Sequence, residues 1–433
     1  MIPISRYQRR RAQLARSISR GVAIIPTSRE LARNRDTQFP YRFDSYFYYL
    51  SGFTEPEAVV VIVAGKNSKS ILFCREKDLT REIWDGYRYG PKAAQKQFAF
   101  DEAYPISKLD ELMPKLLADQ PGLHYPVGAD AGWDARIVGW INQVKAQVRS
   151  GVTAPDNIQD VRSVLDGMRL YKDNDELATM RRSGKIASDA HRRAMQTTRP
   201  GMSEYQIEAE LLHEFRRRGA QAPAYTSIVA GGANACVLHY VENSQPLNSG
   251  ELLLIDAGCE LDGYASDITR TFPVSGKFSP AQRDVYELVL AAQANAISAV
   301  KPNASFENYH EAALKVLVRG FIDLKLCKGS VDKVLESGDY RRFYMHRTGH
   351  WLGLDVHDAG DYKKNGKSIK LAPGMVLTVE PGCYIRPGKD VPKAFWNIGV
   401  RIEDDVLVTK TGRDVLTDPP KTVADIEQLM QAG

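Results

Sequence analysis

Two short stretches carry acids where acids are costly. In LLLIDAGCELDGYASDITRTF, Leu252 to Phe272, four aliphatic residues run into Asp256, and a second acid, Asp267, follows on the next extended segment. Further on, GMVLTVEPGC (Gly374 to Cys383) aligns without a gap on GELLLIDAGC (Gly250 to Cys259), so that Glu380 falls where Asp256 stands. VRIEDD then supplies a second acid, Glu403. Leu261-Asp262-Gly263 has turn chemistry, and a four-residue loop over 260–263 would pair Cys259 with Tyr264 and set Asp256 opposite Asp267. Like charges with Cβ atoms about 4.5 to 5.5 Å apart repel, so something positive is expected between them. Four carboxylates in one apolar pocket cannot all stay ionised without cations. A pair of metals about 3.5 to 4 Å apart meets that need and suits hydrolysis. A set dominated by oxygen favours hard ions such as manganese, whereas the affinity order favours zinc.

Histidines accompany both acid units. His239 precedes Asp256, and YMHRTGHWLGLDVHD places His346, His350 and His357 ahead of Glu380. This segment is expected to add a fifth ligand. The four-residue spacing of His346 and His350 matches a helical zinc pair, but Thr348-Gly349 opposes a regular helix, so the two are expected to serve different roles. Arg401 lies two residues before Glu403, on the same side of a strand, where it can neutralise and orient carboxylates. A single strand-end acid is commonly a cap or an ion-pair member, and a single loop histidine is commonly structural. Their joint repetition argues for a site.

The elements that hold these residues follow from pattern. At 433 residues the chain can bury two cores, and it reads as α/β (α+β) with a boundary near Met168, giving domains 1–168 and 169–433. In the first, GVAII, YFYYLSGF, AVVVIV and SILFC read as strands between Pro and Gly signals. Arg6, Arg9, Arg10, Arg11, Arg16 and Arg20 give the first twenty residues transit-peptide composition, but their periodicity reads as a basic surface helix docking Tyr7, Leu14 and Ile18. Beyond Asp173 the pattern turns helical. RPGMSEYQIEAELLHEFRRRG and KPNASFENYHEAALKVLVRG repeat one unit, with a Ser three residues after Pro as N-cap and, in the first, a Ser203/Gln206 capping box. With 43% hydrophobic and 26% charged residues and a net charge of +5, the chain reads as soluble. Its longest aliphatic run, 58–64, is too short for a bilayer, and no basic stripe interleaved with aromatics suggests nucleic acid. Five cysteines without a CxxC pair fit a reducing compartment, hence the cytoplasm.

LLLIDAGCELDGYASDITRTFPVSGKFS, HRTGHWLGLDVHD, VLTVEPGCYI and GVRIEDDVLVT resemble the motifs of proline-specific aminopeptidase P, in the creatinase and methionine aminopeptidase superfamily with its pita-bread fold. EPEAVVVIV and DLTREIWDGYRYG resemble that family's amino-terminal domain, so the resemblance spans the whole chain. It implies a small α/β creatinase-like domain serving oligomerisation and active-site access, then a pseudo-two-fold pita-bread metallopeptidase domain. It also implies an exopeptidase that uses hydroxide held by two manganese ions to cut between the first residue and a penultimate proline. In that family likeness Asp256, Asp267, His350, Glu380 and Glu403 hold the metals, with Asp267 and Glu403 bridging and Glu380 handling the proton of the shared water. His239 and His357 stabilise the scissile carbonyl, His346, Tyr384 and Arg401 shape the proline pocket, and Trp84 from a neighbouring subunit of a tetramer or dimer closes the site. The expected partners are peptides with proline second and further copies of the chain, with neither nucleic acid nor membrane. The substrate chemistry agrees: a bond to proline is a tertiary amide with fixed φ and no N–H, which strand-like peptide binding handles badly. Prolidase, which takes only Xaa-Pro dipeptides, is the nearest alternative, methionine aminopeptidase a more distant one. A non-catalytic binding module of the same fold is the alternative from another class. The aromatic-rich first domain favours the aminopeptidase, and the complete ligand set opposes the binding module.

Overall fold

The computed structural model describes residues 2–432 and divides into two compact units, Met1–Arg169 and Leu170–Gly433. In the first, a six-stranded sheet runs in the order Glu102–Pro105, Lys69–Cys74, Val59–Ala64, Gly21–Pro26, Gly122–Tyr125, Asn157–Asp160. The central strands pair antiparallel and the outer ones parallel. Its near-continuous β-branched strands bury Val22, Ile24, Val61 and Ile71 against Met113, Leu117, Trp140 and Ile141.

Two local expectations change. YFYYLSGF is a helix, Ser45–Ser51, not a strand: the Asp44 side chain accepts from Phe47 N at its start, and Gly52 (φ 65°) ends it. Phe47, Tyr48, Tyr49 and Leu50 are all buried, so neither period 2 nor period 3.6 shows in the sequence. The basic leader is a helix, Ile4–Ile18, burying Tyr7, Leu14 and Ile18, yet it is more than a surface element. Arg10 and Arg11 are only 4% and 3% exposed, Arg11 donating to Leu50 O (2.9 Å) and Phe98 O (3.1 Å) while its guanidinium lies 4.0 Å from the Phe100 ring centroid.

The second unit is built twice over. The helices Asn174–Thr197 and Glu204–Arg217 pack together, as do Pro280–Ala299 and Phe306–Asp323. Asp173 and Glu176 close one capping box, Ser203 and Gln206 a second, Ser279 and Gln282 a third. Each half has a three-stranded sheet, Ile228–Gly231 with Leu252–Asp256 and Thr269–Pro273 in one, Val376–Val379 with Asp404–Val408 and Arg413–Val415 in the other. Leu253, Ile255 and Phe272 share one core with Leu377, Val379, Val406 and the helical Val285 and Leu317. The halves are stitched where Glu403 N donates to Thr269 O (3.0 Å) and Arg401 N to Thr271 Oγ1 (3.2 Å). Among the described residues no helix is long and apolar enough to cross a membrane.

Candidate metal centre and its cavity

The hairpin that carries the first two acids is tighter than the sequence suggests. The expected four-residue loop is a two-residue turn, Asp262-Gly263 (φ 50° and 82°), joining Leu261 to Tyr264. Asp256 therefore pairs with Thr269, not with Asp267. The register, continued through Ala257 N to Ile268 O (3.0 Å) and Ser266 N to Cys259 O (3.0 Å), puts Asp267 opposite Gly258. A Cβ on Gly258 would lie 1.7 Å from Ser266 O, so only glycine lets the strands close there. In the other half Val379 pairs with Asp404 and Gly382 with Arg401, which sets Glu380 opposite Glu403. The second acids of the two units thus stand two residues out of step along their strands: Asp267 occupies the place of Arg401, and Thr269 that of Glu403.

The histidine segment is an irregular loop laid along the Val376–Val379 strand. Thr378 N donates to His350 O (2.9 Å), Glu380 N donates to Thr348 O (2.8 Å), and a Cβ on Gly349 would sit 2.0 Å from Thr378 O. Glycine is what lets the loop lie so close. His350 Nδ1 donates to Trp351 O (2.9 Å), which leaves Nε2 facing Asp267 Oδ2 at 3.4 Å and Glu380 Oε1 at 3.5 Å. His346 differs: its Nδ1 donates to Arg347 O (2.7 Å), and its Nε2 accepts from the Tyr384 hydroxyl (2.8 Å). Tyr384 in turn accepts from Arg401 Nη1 (3.0 Å). Burial and the Arg401 charge hold His346 down to about 3, so its ring is neutral.

These groups line a cavity of about 930 Å³ that includes Asp256, Asp267, Glu380, Glu403, His239, His346, His350, His357 and Arg401. Burial pushes the carboxyls of Asp267 and Glu403 up, and Glu380 up to about 7, each reinforced by the neighbouring acids. Arg401 is already engaged, with Nη2 on Asp256 Oδ2 (2.7 Å) and Nε on Thr269 Oγ1 (3.1 Å). One ligand atom each from Asp267, His350 and Glu403 lies within 4.8 Å of the others. A histidine whose outer nitrogen is fixed on a carbonyl, and whose inner nitrogen faces two acids, has the orientation of a metal-bound imidazole. The donors fit divalent cations, which would supply the missing positive charge.

Tyr225 and Thr269 belong to this network and carried no spacing signal. The Tyr225 hydroxyl lies 2.7 Å from Asp256 Oδ1 and also contacts Asp267, and the Thr269 hydroxyl accepts from Arg401 and donates to Glu403 Oε2 (2.7 Å). Trp84 is not among the cavity residues. It is 81% exposed on the helix Leu79–Asp85, which buries none of its residues.

His191, fully buried, donates from Nε2 to the carbonyl of Ala257, beside Asp256 (3.0 Å). Its Nδ1 has no partner, and burial lowers it to about 4. An unfolded histidine titrates near 6.5, so this neutral ring contributes stability above that value, and the contribution is lost as pH falls through 6.5 toward 4. Between neutral pH and about pH 5 the loss should reach about 2 kcal/mol. Urea unfolding at both pH values should show His191→Gln losing less stability on acidification than the parent by about that amount. Equal losses would exclude the buried neutral ring as the cause.

Comparison with known proteins extends these observations over the whole chain. The profile of metallopeptidase family M24 matches residues 178–410, and that of the aminopeptidase P N-terminal domain matches residues 7–124. The Xaa-Pro aminopeptidase of Haemophilus influenzae is 45% identical over 432 residues, covering 99% of this chain and 98% of the relative. That of Escherichia coli is 43% identical over 439 residues, covering 100% and 99%. The structure of Pseudomonas aeruginosa aminopeptidase PepP superposes with a TM-score of 0.98 at 47% identity, covering 100% of this chain and 98% of the other. Proline aminopeptidase P II from Yersinia pestis gives 0.97 at 44% identity with 100% of both chains covered. With a duplicated, acid-lined second unit that follows an α/β first unit in the sequence, the chain belongs to metallopeptidase family M24, in the aminopeptidase P branch that carries the AMP_N domain.

Proposed function

We propose that the chain is an Xaa-Pro aminopeptidase, hydrolysing the bond between a peptide's first residue and a penultimate proline. The observation that carries this is that Asp256, Asp267, His350, Glu380 and Glu403 all line one cavity of about 930 Å³. Those five residues would hold two divalent ions, manganese in this proposal, and Asp267, His350 and Glu403 already bring one ligand atom each within 4.8 Å of the others. When bound, the ions polarise the scissile carbonyl and lower the pKa of water.

The chain's own groups handle the rest. Glu380 takes the proton of the attacking water as oxygen bonds to the carbonyl carbon, and the proton passes to the proline nitrogen as the C–N bond breaks. His239 and His357 donate to the carbonyl oxygen as it gains charge. Burial and the neighbouring His350 lower His357, which keeps it a neutral N–H donor. Because Tyr384 occupies His346 Nε2, His346 offers its ring face, a fitting wall for the pyrrolidine. His357→Ala should keep its metal and lose about 10²- to 10³-fold in kcat. Unchanged turnover would remove His357 from the mechanism.

The exposed Ile83, Trp84 and Tyr87 support assembly into a homo-oligomer in which Trp84 closes the site of another copy. Trp84→Ala should then raise KM several-fold, and an active monomer with parental kinetics would refute the shared site. All five cysteines are buried and free, in keeping with a cytoplasmic enzyme. Cell fractionation checks this assignment.

Product analysis of metal-stripped, manganese-restored protein with an Xaa-Pro-Xaa tripeptide and the matching Xaa-Pro dipeptide tests the proposal. Release of only the first residue from the tripeptide is expected. A cavity of about 930 Å³ has room beyond two residues, which disfavours prolidase. Cleavage of the dipeptide alone would establish prolidase instead, and cleavage of neither would leave a binding module.

A further inference from the structure

Glu204 is the first residue of the helix Glu204–Arg217, and its side chain is fully buried although it lies outside the cavity. Burying a carboxylate is costly unless donors surround it. Four do. Oε1 accepts from Gly231 N (2.8 Å) and Asn234 Nδ2 (2.9 Å), while Oε2 accepts from the Tyr240 hydroxyl (2.7 Å) and Gln245 N (2.9 Å). All four donors belong to one stretch, 231–245, that leaves the Ile228–Gly231 strand and returns beside the start of the helix, where Glu204 N donates to Gln245 O (3.0 Å). His239 lies in the middle of that stretch, adjacent to Tyr240, and is exposed to the cavity. Among the described residues its ring makes no hydrogen bond, so the backbone that carries it must set its place.

We infer that Glu204 is a positioning residue for His239: one buried carboxylate gathers both ends of the loop and its tyrosine anchor, and so holds the imidazole over the scissile carbonyl. This rests on the role proposed above for His239. The opposite side of the loop is braced by packing, since a Cβ on Gly399 would lie 2.3 Å from Ala235 O, and by Arg386 Nη2 donating to Cys236 O (2.8 Å). Those contacts hold residues 235 and 236. The span from 237 to 245 has Glu204 and the side chain of Asn243, which bonds Val229 N and Ser227 O.

A glutamine at 204 has one acceptor oxygen and, in place of the other, an amide nitrogen that carries two N–H donors and accepts nothing. Whichever way it turns, it loses the bond from one backbone N–H, that of Gly231 or of Gln245, and points its own N–H at that group, while the Asn234 amide or the Tyr240 hydroxyl must turn round to accept. A displacement of about 1 Å at a catalytic group costs on the order of 10²-fold, so Glu204→Gln should lower kcat by about 10- to 100-fold with KM little changed. Weakened packing would act in any background, whereas an effect transmitted through His239 vanishes once His239 is gone. The experiment is a double-mutant cycle in kcat for the manganese-loaded full chain with an Xaa-Pro-Xaa tripeptide: parent, Glu204→Gln, His239→Ala and both. Tyr240→Phe removes a single donor, and it takes the place of Glu204→Gln should that variant not fold. The expected result is a fall in kcat with His239 present and no further fall without it. Equal factors in the two backgrounds, or no fall in either, would overturn the inference. His239→Ala with parental turnover would instead refute the role of His239, and the inference with it.

Discussion

Asp267→Asn is expected to bind no second metal ion and to lose turnover with it, by well over the 10- to 100-fold that follows loss of a group merely supporting a metal ligand. Asparagine keeps the volume and one acceptor. The Tyr225 hydroxyl can still donate to it, and the backbone N–H of Asp267 still reaches Asp405 Oδ2 (3.2 Å), so the fold has no reason to fail. What disappears is charge. In the metal-free protein that loss helps, because burial and Asp256 raise the Asp267 carboxyl above its ordinary value. Near pH 7 an ionised Asp267 therefore costs stability when no cation is present, and the cost fades as pH falls and the group protonates. Two measurements follow. The metal-free variant should melt at or above the metal-free parent. Adding manganese should raise the melting temperature of the parent, by mass action, considerably more than that of the variant. A variant that binds two ions per chain and turns over at the parental rate would remove Asp267 from the proposed ligand set.

The duplicated acids were legible because the first carboxylate of each unit sits at one place in a gap-free alignment, and strand geometry then sends both toward one cavity. The register was not. Whether Asp262-Gly263 makes a two- or a four-residue connection changes which residue Asp256 meets, and both choices keep the acids on one face, so hydrophobic patterning cannot decide. Asp267 therefore proves equivalent in position to Arg401 and not to Glu403, an asymmetry hidden when acids are matched by chemistry alone. Tyr225 and Thr269 went unseen for a related reason: a hydroxyl that links two acids, or an arginine to an acid, has no sequence period of its own. The run Glu403-Asp404-Asp405 shows the same limit. Three adjacent acids read as one charged cluster, yet Glu403 lines the cavity, Asp405 accepts from the backbone of Asp267, and Asp404 faces the other way.

Loss of the Asp404 carboxylate should cost a large part of the stability. It is fully buried and accepts from Arg270 Nη2 (2.7 Å), Thr417 Oγ1 (2.9 Å), Gln293 Nε2 (3.0 Å) and Lys421 Nζ (2.7 Å). Burial alone would raise its carboxyl, but Arg270 and Lys421 hold it below the ordinary range, so the pair is ionised. Arg270 is equally buried and spends its remaining donors on four carbonyls, those of Thr269, Glu403, Pro419 and Pro420. It thereby ties the first acid-bearing half to the second, and both to the C-terminal segment. Asp404→Asn should cost about 3 to 5 kcal/mol, because it leaves the Arg270 guanidinium buried without its counter-charge. A buried ion pair can often be exchanged for apolar residues with little loss. Here that exchange should fail, since Arg270→Met with Asp404→Leu removes the Arg270 donors from the carbonyls of Glu403, Pro419 and Pro420, each costing about 1 to 3 kcal/mol when left unmade, while Thr269 O keeps its bond from Glu403 N. Urea unfolding of the single and double variants separates the possibilities. Asp404→Asn within about 0.5 kcal/mol of the parent, the range of an ordinary surface change, would show that the network adds nothing to stability. A double variant as stable as the parent would show that the carbonyls find water or other donors, and that Arg270 serves only to balance Asp404.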